Sequence, residues 1–105
     1  MKEITPAQLK EMRDTGAAFQ LIDVREPYEA EICSIGGTLI PMGMIVDRLN
    51  EIRKDIPVVV HCKSGGRSAA VIQALSTRYG FDNLINLTGG ILAYSEQVAP
   101  DVQCG

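Results

Sequence analysis

The sequence predicts an α/β protein, a parallel sheet with helices on both faces, and three observations carry that reading. Strand-like runs alternate with helix-like runs from one end of the chain to the other. The run Pro57-Val58-Val59-Val60-His61 is β-branched at successive positions, so it points apolar groups to both faces, as a strand buried in a parallel sheet must. Glycine pairs at Gly36-Gly37, Gly65-Gly66 and Gly89-Gly90 break the chain between runs.

Taken in order, Thr5-Pro6-Ala7-Gln8 opens a first helix: Thr5 caps, Pro6 suits the first helical position and Gln8 completes a capping box. Leu9 and Met12 share its inner face and Gly16 ends it. Phe19 to Val24 reads as a short strand, and Glu26 to Ala30 starts a helical turn that Gly36-Gly37 breaks. Thr38-Leu39-Ile40 is a brief strand stopped by Pro41. Met44 to Lys54 carries the clearest helical amphipathicity, with Ile45, Leu49 and Ile52 on one face. The buried strand Pro57 to His61 follows, then a helix from Ser68 to Tyr79 closed by Gly80, with Val71, Ala74, Leu75 and Arg78 at the spacing of one stripe. Leu84 to Leu87 is the last strand, and Gly89-Gly90 precedes a final helix reaching about Val98.

The 105 residues suffice for one core and are too few for two, and with no repeat or linker the expectation is one domain over residues 1–105. A composition of 46% hydrophobic and 22% charged residues excludes a disordered chain. The longest apolar run, Ile56 to Val60, is far too short to cross a bilayer, and Met1 to Pro6 lacks the pattern of a signal peptide. A cytoplasmic location is therefore expected. Net charge of −3 with scattered Lys and Arg argues against nucleic-acid or membrane partners. Three cysteines at unrelated spacings argue against a disulfide framework, and with His61 the single histidine, no metal or other cofactor is expected.

The chemistry concentrates in Val58-Val59-Val60-His61-Cys62-Lys63-Ser64-Gly65-Gly66-Arg67-Ser68. Cys62 stands where a buried strand ends, which in a parallel sheet is where ligands sit. Cys62 to Arg67 curl over before the next helix, whose unpaired amides and positive dipole end point back at them. Gly65 and Gly66 permit the close backbone approach of an anion nest. A thiolate at Cys62 is favoured there over the free thiol, whose reference pKa is about 8.5, with Lys63 and Arg67 adding positive charge. A cation in the first turn opposes the helix dipole, so Arg67 is read as the fork for an incoming oxyanion. Lys63 either shares that role or points to solvent.

These residues carry a family resemblance. Cys62-Lys63-Ser64-Gly65-Gly66-Arg67-Ser68 resembles the active-site loop of rhodanese domains. Leu21-Ile22-Asp23-Val24-Arg25-Glu26-Pro27-Tyr28-Glu29 and Asn86-Leu87-Thr88-Gly89-Gly90-Ile91-Leu92-Ala93-Tyr94 are similar to two further signatures of that family, in the right order. Glu31-Ile32-Cys33, Ile35-Gly36-Gly37 and Leu39-Ile40-Pro41 look closest to rhodanese domains fused behind adenylating enzymes that serve sulfur carriers. The resemblance implies a five-stranded parallel sheet with helices on both faces. It also implies a thiosulfate sulfurtransferase in two displacement steps: Cys62 takes the outer sulfur of a small anionic donor, and its persulfide passes that sulfur to cyanide, a thiol or a protein. Lys63, Ser64, Gly65, Gly66, Arg67 and Ser68 would bind the substrate, the hydroxyls of Ser64 and Ser68 steadying the outer sulfur. Ser34-Ile35-Gly36-Gly37-Thr38 and Tyr94 depart from the common pattern, which bears on substrate or partner preference.

Asp23 and Arg25 are read as structural support by buried pairing, and His61, facing away from Cys62 along the strand, as a satisfied core histidine. Cys33 is expected half-buried in a helix. Cys104 is expected to be a frayed tail thiol, with a resolving or sulfur-accepting role as the alternative. Two rival functions stand. A phosphatase or arsenate reductase of related fold usually has five residues between Cys and Arg where this loop has four, and no acidic residue stands beside this loop in sequence. A non-catalytic interaction module generally lacks the cysteine.

Overall fold

The structure, a computed structural model, describes residues 1–104. One five-stranded sheet runs through it, formed by β1 (Glu3–Ile4), β2 (Gln20–Asp23), β3 (Thr38–Leu39), β4 (Val58–His61) and β5 (Leu84–Leu87). The strands are all parallel in the order β1-β5-β4-β2-β3, which puts β4 at the centre. Helices α1 (Pro6–Asp14), α2 (Pro27–Ile32) and α3 (Gly66–Arg78) connect β1 to β2, β2 to β3 and β4 to β5, and α4 (Gly90–Val98) follows β5.

Consecutive strand residues feed opposite cores, as the pleat requires. Ile22, Val24, Val58, Val60 and Leu84 pack with Val71, Ile72 and Leu75 of α3. Leu21, Val59, Ile85 and Leu87 pack with Leu9 of α1 and with Ile91 and Tyr94 of α4. That is why Val58-Val59-Val60 shows no alternation. Each methyl pair faces a covered layer.

Local signals explain the helix ends. Gln8 N donates to Thr5 Oγ1 at 3.1 Å and Thr5 N donates to Gln8 Oε1 at 2.9 Å, a complete capping box at the start of α1. Strand β1 escaped the sequence pattern because it is two residues long, with only Ile4 buried. Its partner β5 stabilises it: Asn86 N bonds the Lys2 carbonyl and Thr88 N bonds the Ile4 carbonyl, both at 2.9 Å.

Several expectations need correction. Met44 to Lys54 is not an α-helix but two short 3₁₀ stretches, Met42–Met44 and Val46–Glu51, with Arg48 outside helical backbone angles. Ile45 and Ile52 are buried and Leu49 packs against them, so tertiary anchoring kept the apolar face while Gly43 and the β-branched Ile45 and Val46 weakened the helix. The Arg48–Glu51 pair, three residues apart, fits the tighter turn. On α3 the buried stripe is Ser68, Val71, Ile72 and Leu75, and Arg78 is exposed.

The third correction concerns the cysteines. Cys33 and Cys104 form a disulfide with Cα atoms 5.1 Å apart across 71 residues. Cys33 is the extended residue that caps α2, and Cys104 lies on a tail that folds back with Ala99 and Val102 against the second core. An odd cysteine count permits one pair and one free thiol, and that free thiol is Cys62.

Asp23 and Arg25 form a buried bidentate pair, with Arg25 Nη2 2.7 Å from Asp23 Oδ2 and Nε 3.0 Å from Oδ1. Burial opposes the Asp23 carboxylate, but the Arg25 guanidinium outweighs it and holds the group below the usual carboxylate range. Arg25 Nη2 also donates to the Cys33 carbonyl at 2.8 Å, tying the end of β2 to the end of α2. His61, opposite Asp23 in register, is fully buried, but it is not satisfied: neither ring nitrogen has a partner among the described residues.

His61 therefore makes stability depend on pH. Burial pushes its pKa down against the pull of Asp23, with Arg25 and Arg13 adding to the depression. The unfolded chain takes up a proton as pH falls below about 6.5 while the folded chain does not, so stability is complete above that pH and declines below it, by up to about 1.4 kcal/mol per pH unit. Urea midpoints should fall between about pH 6.5 and the depressed folded value, and His61→Phe should flatten the decline in that window. Asp23, with its lowered pKa, titrates in a more acidic range. An unchanged slope in the variant would assign the decline to other groups.

Candidate active site

Cys62 follows the last residue of the central strand β4, and α3 begins at Gly66, two residues before the expected start. Gly66 and Arg67 thus belong to the first helical turn, and the free loop shrinks to Cys62-Lys63-Ser64-Gly65. Gly65 caps α3 with φ of +110°, a left-handed angle that suits glycine, whereas Gly66 has ordinary φ and open space where a Cβ would stand. Glycine is required by backbone geometry at the first position and not at the second.

The loop folds its amides onto sulfur. Gly65 N donates to Cys62 Sγ at 3.1 Å, Ser68 N lies 3.5 Å away and Ser68 Oγ 3.4 Å away. Burial alone would raise the Cys62 pKa, yet the Ser68 hydroxyl and the amides of Ser68, Gly65 and Ser64 outweigh it and bring the thiol below its ordinary value. The hydroxyl of Ser64 does not join them; that residue is exposed. Lys63 is exposed as well, and hydrogen bonds are the largest of the causes that lower the pKa.

Asn86, on β5, completes the cradle and was not singled out from sequence. Its Nδ2 donates to the Gly65 carbonyl at 3.2 Å, which turns its Oδ1 toward Ser68 Oγ at 2.6 Å. While Cys62 is a thiol, that short contact takes the single Ser68 hydroxyl proton and the Ser68 oxygen accepts from the thiol. When Cys62 ionises, the hydroxyl turns to donate to the thiolate beside the amides. The available signal was a polar residue inside the otherwise apolar strand Leu84-Ile85-Asn86-Leu87.

Arg67 is already partnered. Its Nη1 lies 3.0 Å and 3.2 Å from the two carboxylate oxygens of Glu29, on α2, and this pairing raises its pKa. The anion that offsets a cation in the first turn of α3 is thus a carboxylate of the chain itself. Glu29 also corrects the expectation that no acidic residue stands beside the loop. It lies 38 residues upstream and reaches the site only through the fold. Both its oxygens accept from Arg67, which makes it that arginine's ion-pair partner.

The N-terminus of α4 forms the remaining wall. Ile91 N bonds the Cys62 carbonyl at 2.9 Å and Leu92 N bonds the Lys63 carbonyl at 3.2 Å. Beside the loop opens a cavity of about 260 Å³ whose lining includes Glu29, Lys63 and Ile91 together with Cys33 and Cys104. Among the described residues, no group of three or more His, Cys, Asp and Glu side chains is placed to hold a metal ion, and no helix is long and apolar enough to cross a membrane.

A cysteine cradled by amides at the carboxyl end of the central strand of a parallel sheet defines a cysteine-centred anion-loop protein. Residues 5–97 match the family described as "Rhodanese-like domain", and the chain belongs to that family. The putative sulfurtransferase YtwF of Bacillus subtilis is 37% identical over 101 residues, covering 95% of this chain and 96% of that protein. The probable adenylyltransferase/sulfurtransferase MoeZ of Mycobacterium tuberculosis is 39% identical over 102 residues, covering 94% of this chain but only 26% of that protein, so this chain spans about a quarter of its length. The crystal structure of a rhodanese-related protein from Thermoplasma volcanium matches all of both chains with a TM-score of 0.84 at 31% identity.

Proposed function

We propose that this chain is a sulfurtransferase whose residues 1–105 act as one domain and whose nucleophile is Cys62. The observation that carries the reading is the direct donation from Gly65 N and Ser68 N to the sulfur of the buried Cys62. In the first step the Cys62 thiolate attacks the outer sulfur of thiosulfate or of a persulfide. The donor's sulfur–sulfur bond breaks, and the electron pair leaves with sulfite or a thiolate. In the second step a thiophilic acceptor (cyanide, a thiol or a protein) attacks the outer sulfur and restores the Cys62 thiolate. The amides that hold the thiolate also hold the persulfide anion. Arg67 can attract an anionic donor with the guanidinium edge that Glu29 leaves free, and Lys63 at the cavity mouth adds charge on the approach.

The size of the loop favours sulfur over phosphate. Four residues separate Cys62 from Arg67, the amides close on one sulfur atom, and the carboxylate of Glu29 is engaged by Arg67. The test is intact mass after incubating the protein, with its Cys33–Cys104 disulfide formed, with thiosulfate. One sulfur atom should be added, peptide mapping should place it on Cys62, and cyanide should remove it as thiocyanate. Turnover without an adduct on Cys62 would overturn the proposal, and hydrolysis of an aryl phosphate at a comparable rate would favour the phosphatase.

A further inference from the structure

We infer that Cys33 and Cys104 are a second, redox-active centre that takes the sulfur from a Cys62 persulfide and releases it as sulfide. This rests on the sulfur-carrying role proposed for Cys62. The disulfide lines the same cavity as Lys63, the residue that follows Cys62, and Ile91, whose amide holds the Cys62 carbonyl. The two cysteines are not equivalent. Cys33 is buried and has Arg25 Nη1 3.5 Å from its Sγ. Cys104 is half-buried, on a segment that carries no helix or strand, and is the accessible member.

Chain geometry gives Cys104 the reach. Helix α4 starts on the Cys62 loop, and its nine residues carry the chain about 13 Å away from it. The six residues from Val98 to Cys104 can span about 20 Å when extended, enough to return along the whole helix. In the disulfide the tail has already come back as far as the cavity, held by Val102 against the second core and by the Ser95 hydroxyl on the Val102 carbonyl. Cys62 is buried and does not line that cavity, so Cys104 reaches its persulfide only once reduction releases the tail.

The steps balance. The Cys104 thiolate attacks the outer sulfur of the Cys62 persulfide; the bond between the two Cys62 sulfurs breaks and its electron pair stays on the Cys62 thiolate. Cys33 then attacks the sulfur of Cys104 that is bonded to carbon, and the terminal sulfur leaves as hydrosulfide with the electron pair of the broken bond. One sulfane sulfur is reduced by two electrons, two thiols become one disulfide, and their two protons leave with hydrogen sulfide. An external dithiol reduces the disulfide for the next cycle.

The experiment uses the whole chain, reduced with a phosphine, freed of reductant and given one equivalent of thiosulfate without air. Wild type should release close to one equivalent of sulfide and end with the Cys33–Cys104 disulfide formed. Cys104→Ser should keep the added sulfur on Cys62, release at least about tenfold less sulfide, and still pass sulfur to cyanide at the wild-type rate. Cys33→Ser should trap the added sulfur on Cys104. A wild type that retains its persulfide with both other thiols reduced, or a Cys104→Ser variant that releases sulfide as fast as wild type, would overturn the relay and leave the disulfide a staple for the tail. Absence of any adduct in Cys104→Ser would instead remove the persulfide reading on which the relay depends.

Discussion

Cys62→Ser lowers sulfur transfer to background while changing folding stability by less than about 1 kcal/mol. The first part follows from chemistry: a serine oxygen in this loop forms no persulfide, and neither remaining cysteine has amides aimed at its sulfur. The second part is less obvious, because Cys62 is 1% exposed and belongs to the core cluster that contains Val24, Ile40 and Val60. Burying a hydroxyl there would ordinarily be costly. Here Gly65 N and Ser68 N already point at the position of the sulfur, so the new oxygen is satisfied on arrival. Cys62→Val is the matched contrast. It keeps the apolar volume but strands those two donors, and should be the less stable of the pair. Transfer by Cys62→Ser at a rate near wild type would move the nucleophile to another cysteine. Greater stability in the valine variant would mean that the donors are satisfied elsewhere.

Gly90→Ala, outside the loop, should bring a loss of about 2–4 kcal/mol in stability and at least about a tenfold drop in transfer. A Cβ at Gly90 would stand 2.4 Å from the Lys63 carbonyl oxygen and 2.7 Å from that of Cys62, and both obstacles are backbone. Helix α4 would have to withdraw, breaking the Ile91–Cys62 and Leu92–Lys63 hydrogen bonds that hold the loop from behind. Gly90 also has φ of +64°, so conformational strain must be separated from the clash. Gly80→Ala provides the control, because Gly80 has φ of +71° and nothing within 4 Å of a Cβ. It should cost about 1 kcal/mol and leave transfer intact. Gly66→Ala, with open space and an ordinary φ, should be tolerated in the fold. Equal effects of Gly80→Ala and Gly90→Ala on transfer would mean that the packing of α4 on the loop does not govern it.

Much of this protein was legible before any coordinate was known, for a common reason. Val58-Val59-Val60, the Thr5–Gln8 capping box, the Gly-Gly breaks and Cys62-Lys63-Ser64-Gly65-Gly66-Arg67-Ser68 are all local, and their physics lies within a few bonds or one turn of chain. The segment from Met44 to Lys54 shows where local reading fails. Its apolar spacing identified Ile45, Leu49 and Ile52 as anchors, but a 3₁₀ turn presents nearly the same face as an α-helix, and packing chose between them.

The sequence by itself determined the class of fold, the central strand and the cysteine at its end, because backbone periodicity and loop chemistry are properties of neighbours. Tertiary structure alone decided which distant groups meet there. Glu29 reaches Arg67 across 38 residues, Asn86 reaches Ser68 across 18, and Cys104 reaches Cys33 across 71. Nothing in the spacing of those pairs encodes their contact. It arises because a parallel sheet gathers the carboxyl ends of its strands on one edge, and because the tail after α4 folds back against the second core.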